Sequence, residues 1–111
     1  MAIHVYTKKP TTLLRKIREG IAAGSIETWE INSDGDFTHT SDQWKKKGYF
    51  TPDRRKGFLS FGLVGEKNKE MLKEVYGVYH GRFIQMLLNH FDDYFDSVTA
   101  TAEMDDIDEF N

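Results

Sequence analysis

Residues 67–95 carry apolar side chains around more of a helical surface than contact with a single sheet requires. On a 3.6-residue wheel, Leu72, Val75, Tyr76, Tyr79, Phe83, Met86, Leu87 and His90 form one continuous stripe. Ile84, Leu88 and Phe91 widen it onto a second flank, beside Gly77 and Gly81. The first stripe suffices to cover a sheet of the same domain. The second flank needs another partner, either a second helix or a second copy of the chain.

The 111 residues suit one domain with a single core, over residues 1–102, and an acidic flexible tail over 103–111. Hydrophobic content of 39%, with 14% aromatic, is enough to fill that core. The absence of cysteine removes disulfides, thiolate metal sites and cysteine nucleophiles together. It also fits a reducing, cytoplasmic setting. The N-terminus lacks the basic and apolar regions of a signal peptide, and no apolar run approaches membrane-spanning length. Net charge is −3, divided as +4 over residues 1–56 and −7 over 57–111. Such a division suits an interaction surface at one end, or pairing of the acidic tail with the basic segment.

Along the chain, Ile3 to Tyr6 alternates as a short strand that Pro10 then separates from a helix. Thr11 or Thr12 is expected to cap this helix, with Leu13, Leu14, Ile17 and Ile21 on its buried face and Gly24 as its terminator. Gly20 weakens it by about 1 kcal/mol relative to alanine. Residues 26–31 and 37–39 read as a hairpin around Asp34-Gly35, because Asp-Gly readily supplies positive φ. Residues 48–51 and 58–64 read as a second strand pair, joined through Pro52 to Gly57. The long helix starts near Asn68, and residues 97–102 form a last strand. The order β-α-β-β-β-β-α-β implies a two-layer α+β sandwich: a mainly antiparallel sheet of about six strands, with both helices on one face. The first and last strands are expected side by side and parallel in the sheet centre.

No catalytic spacing stands out. His80 and His90 are about 80° apart on the wheel, unlike a metal-binding i, i+4 pair. His90 belongs to the apolar stripe and is expected to pack there. Asp34-Gly35-Asp36 resembles the start of a calcium loop, but the twelfth position, where a glutamate is needed, is Lys45. An acid/base pair of His80 or His90 with Tyr76 or Tyr79 is chemically reasonable and has no motif behind it. Neither a metal nor a cofactor is expected.

Two surfaces remain. One is the flank of Gly77, Gly81, Ile84 and Leu88, where two glycines cost about 2 kcal/mol together and call for close approach of another backbone. It is read as a homodimer seam, or as the seat of the first helix. The other is the basic-aromatic run of Trp44, Lys45, Lys46, Lys47, Tyr49, Arg54, Arg55 and Lys56, a mixture that suits an anionic partner such as single-stranded nucleic acid. A pI near 5.8 argues against a dedicated nucleic-acid protein. The expected function is that of a small non-catalytic binding or regulatory module acting through protein contacts, with single-strand binding by residues 44–58 as the alternative.

Overall fold

The computed structural model describes residues 2–65 and 72–102, so the tail over 103–111 lies outside the described residues. Six strands, β1 (Ala2–Tyr6), β2 (Trp29–Ile31), β3 (Phe37–His39), β4 (Gly48–Arg55), β5 (Phe58–Gly65) and β6 (Ser97–Ala100), form one sheet in the order β2-β3-β4-β5-β1-β6. Every pairing is antiparallel. Two helices, α1 (Pro10–Ala22) and α2 (Lys73–His90), complete the expected α+β order. β1 and β6 are neighbours as expected. Their antiparallel pairing at the sheet edge replaces the expected parallel, central one. A single 3₁₀ turn at Asp92–Tyr94 follows α2, and Ser97 then returns opposite Tyr6.

Both helices cover one face. Cross-strand pairs Ile3↔Phe61, Val5↔Leu59, Phe50↔Leu63 and Phe37↔Phe50 align the inward side chains. These join Leu13, Leu14 and Ile17 of α1 and Val75, Tyr79, Phe83, Met86 and Leu87 of α2 in one buried cluster. Phe83 is its hub, with ring centroids of Phe50 and Phe61 at 4.7 Å, Trp29 at 5.0 Å and Phe37 at 5.9 Å.

Local chemistry explains the element ends. Pro10 does not merely break β1; it occupies the first turn of α1, where its missing N–H costs nothing. Neither Thr11 nor Thr12 is the cap, because Lys9 holds the N-cap position. At the other end Gly24 has φ +81°, its N–H meets the Ile21 carbonyl, and Ser25 N–H reaches that of Gly20, a Schellman closure. Gly20 has a packing reason: a Cβ there would lie 3.1 Å from Ile26 Cδ1 and 3.4 Å from Phe91 Cζ. β4 runs straight through Pro52 to Arg55 instead of turning there. Pairing with β3 is registered only at Phe50, so no partner on that side needs the missing N–H.

α2 begins at Lys73 because Leu72 is extended (ψ 148°), and the expected start near Asn68 lies outside the described residues. Leu72 is therefore 61% exposed rather than part of the stripe. The two helical histidines exchange their expected places. His80 is buried and donates Nδ1–H to the Tyr76 carbonyl at 2.8 Å, whereas His90, the last residue of α2, is exposed.

Candidate functional site

α2 carries a different chemistry on each side of its buried arc. On one side, Gly77, Gly81, Ile84 and Leu88 span about 60° of the wheel. Among the described residues, and apart from the adjoining backbone of α2 itself, no heavy atom lies within 4 Å of a Cβ built at Gly77 or Gly81, so α1 does not pack over these two glycines. Ile84 is half-buried against the core edge, while Leu88 is 51% exposed. The four residues predicted as a contact surface thus form one continuous strip, open among the described residues at Gly77, Gly81 and Leu88 and partly covered at Ile84.

On the opposite side, Arg82, Gln85 and Asn89 recur at helical spacing and face the β2–β3 edge. With Thr28, His39 and His90, over a floor that includes Met86, they line a cleft of about 210 Å³. His39 is 2% exposed. Its Nδ1 accepts the Ser41 backbone N–H at 3.1 Å and lies 3.0 Å from Ser41 Oγ. A ring nitrogen that accepts from an amide carries no proton, so the neutral ring is protonated at Nε2. Nε2 is buried with no acceptor among the described residues. Burial, reinforced by the nearby Arg82 guanidinium, holds the His39 pKa below its usual 6.5. The neutral form is therefore the native one, and the unfolded chain takes up a proton first as pH falls. Stability should accordingly decline as pH drops below about 6.5. Urea midpoints at pH 7.5 and 5.5 should show this decline, and His39→Gln should reduce it; an equal decline in the variant would assign it elsewhere.

The basic-aromatic residues do not converge on one patch. Lys45, Lys46 and Lys47 lie in the turn before β4, and Arg54, Arg55 and Lys56 at its far end, about 23 Å away at 3.3 Å per residue. Lys45 faces Asp42 at 3.6 Å, and Arg55 Nε donates to Asp53 Oδ2 at 2.8 Å. Trp44 packs against the core, and its carbonyl accepts the Tyr79 hydroxyl. That bond, with Thr38 Oγ1 at 3.3 Å, commits Tyr79 to holding the turn. Tyr49 instead lines a separate cleft of about 510 Å³ with Lys46, Asp34 and Asp36. Burial raises the Asp36 pKa, a hydrogen bond with Thr51 lowers it, and neighbouring Asp34 raises it further. The Asp34-Gly35-Asp36 segment is a hairpin turn: Asn32 Oδ1 accepts both the Asp34 and Asp36 N–H groups, and Gly35 has φ +85°.

Asp93 and Asp96 share a cleft with Lys8 and Lys9 at the α1 N-terminus. No group of three or more His, Asp or Glu side chains converges among the described residues. No helix among them is long and apolar enough to cross a membrane. The His39–Arg82 cleft escapes sequence reading because its parts come from residues 28, 39 and 82–90. Its one sequence signal is the i, i+3, i+7 polar line of Arg82, Gln85 and Asn89 within an otherwise apolar helix. Compared with protein-family models, curated proteins and solved structures, the chain matches none.

Proposed function

We propose that the chain is a small non-catalytic cytosolic binding module that acts through protein contacts, with the 77–88 flank of α2 as its self-association surface. The observation that carries this reading is the open space over Gly77 and Gly81 beside a half-exposed Leu88. Glycine is costly inside a helix, and among the described residues neither position has a close neighbour outside the helix's own backbone. Their smallness therefore serves no packing need among the described residues.

The strip also complements itself. Leu88 is a projecting side chain, and Gly77-Gly81 is a shallow groove on the same face. A two-fold axis between Gly81 and Ile84 would seat Leu88 of each copy over Gly77 of the other. Reciprocal contact of this kind is what an isologous dimer requires. Light scattering at two protein concentrations and two salt concentrations should give a dimer mass insensitive to salt, and Leu88→Asp should return the mass to that of a monomer. A wild-type monomer at every concentration would end the proposal. Compared at concentrations that keep both chains monomeric, the Asp variant should lose only about 1 kcal/mol, because Leu88 is 51% exposed and the cost is that of an acidic, weaker helix former in the last turn of α2.

A further inference from the structure

The sheet face turned away from both helices presents a separate observation, independent of self-association. Ile3, Val5, Leu59 and Phe61 join the helix-covered core, so by alternation Ala2, His4, Ser60 and Gly62 face the other way. When helices cover one face of an antiparallel sheet, the other face is normally solvated. Here Ala2 and Ser60 are 0% exposed and Gly62 is buried. Ser60 has shelter on its own face: its Oγ lies 2.6 Å from His4 Nδ1, and the His4 ring stands edge-on to Phe58 at 5.5 Å. Ala2 and Gly62 pair with each other and are flanked across the strands by Thr101 and Thr51, side chains too short to roof them.

We infer that this face is the docking site of the chain's own acidic segment, residues 103–111. Position, length and chemistry select that occupant. The chain leaves β6 beside the buried pair: Thr101 N–H donates to the Ala2 carbonyl at 2.9 Å, and Thr101 Oγ1 accepts the Ala2 N–H at 2.8 Å. Residue 103 follows within about 7 Å of backbone. The nine residues of the segment can reach about 30 Å, whereas β6 to β4 is three strand spacings, about 14 Å. Met104, Ile107 and Phe110 place an apolar side chain at every third position, and a floor of alanine and glycine leaves room for such groups. The remaining positions include five carboxylates. Their complement is Arg55, whose guanidinium carbon lies 6.0 Å from the Phe58 ring on this face, with Lys56 next to it at the hairpin tip. Arg55 also holds Asp53 at 2.8 Å, which balances the carboxylate that β4 itself contributes to this face.

NMR spectra of the full chain test the assignment. Nuclear Overhauser contacts are expected between the Ala2 methyl group and the Met104, Ile107 or Phe110 side chain. Replacing all three (Met104→Ser, Ile107→Ser, Phe110→Ser) should shift the amide signals of Thr51, Ser60 and Gly62 and leave those of Gly77 and Gly81 in place. The same shifts should appear at two protein concentrations, because the occupant belongs to the same chain. Contacts to the Ala2 methyl from residue 1 or residues 66–71 in place of the acidic segment would overturn the assignment. So would unchanged Ser60 and Gly62 signals in the triple variant, or shifts that grow with protein concentration and thereby assign the face to a second copy. Should the triple variant fail to fold, the wild-type contacts decide alone: their presence supports the docking and their absence ends it.

Discussion

Phe83→Ala should lower the unfolding free energy by about 3–5 kcal/mol, the usual range for removing a fully buried aromatic side chain. The side chain is fully buried, and four other aromatic rings have centroids within 6 Å of its own. Two of those rings belong to the adjacent strands β4 and β5, and two to β2 and β3. Truncation leaves a cavity bordered by side chains from four strands, which a local shift of one helix cannot fill. Aromatic pairs add about 0.5–1.5 kcal/mol each beyond the area they bury, so the loss should fall in the upper part of the range. Domains of this size have about 5–15 kcal/mol in total, so the variant should be close to its folding limit at room temperature. Urea denaturation checks this: the midpoint should drop sharply with the slope unchanged. A loss below about 1.5 kcal/mol would mean that Phe83 is not the hub of the core.

Much of this architecture was legible because single residues carry its local rules. Gly24 and Gly35 both have the positive φ their positions suggested, and Val75, Tyr79, Phe83, Met86 and Leu87 keep the buried spacing. Illegibility begins where one residue satisfies two rules. Pro10 ends a strand and equally starts a helix, and the sequence pattern alone favoured the first role. Pro52 reads as a turn residue until the end of β3 is known, for only then is its missing N–H harmless. The direction of β6 depends on the 3₁₀ turn after Phe91, which apolar periodicity does not reveal. His80 and His90 were misplaced because the wheel gives an angle but not the point at which a helix passes beyond its core. The candidate sites divide similarly. The Gly77–Leu88 strip lies on one helix and could be read from spacing. The His39–Arg82 cleft is assembled from three separate segments, and no local pattern announces it.

The paired substitution Gly77→Ala with Gly81→Ala should act in opposite directions on two measurements. Neither glycine has a positive φ, and a Cβ at either position meets no described atom within 4 Å apart from the adjoining backbone of α2 itself. Alanine therefore fits the single chain without strain. Each replacement removes the backbone-entropy penalty of a helical glycine, worth about 1 kcal/mol. At protein concentrations low enough to keep the chain monomeric, the unfolding free energy should rise by about 2 kcal/mol in total. In a two-fold pair the same methyl groups enter the closest part of the seam, and symmetry counts each of them twice. Overfilling a close contact costs about 1–3 kcal/mol, so dimerisation should weaken by about tenfold or more. Dilution series followed by scattering, beside urea curves at low concentration, separate the two effects. A stability gain with unchanged dimerisation would place the seam away from this flank, because the methyl groups would then face solvent in both states. No gain in stability would show that the helix already has a close neighbour at these glycines in the free chain. Gain and weakening together are expected only if the fold leaves the glycines free and a second copy of the chain occupies them.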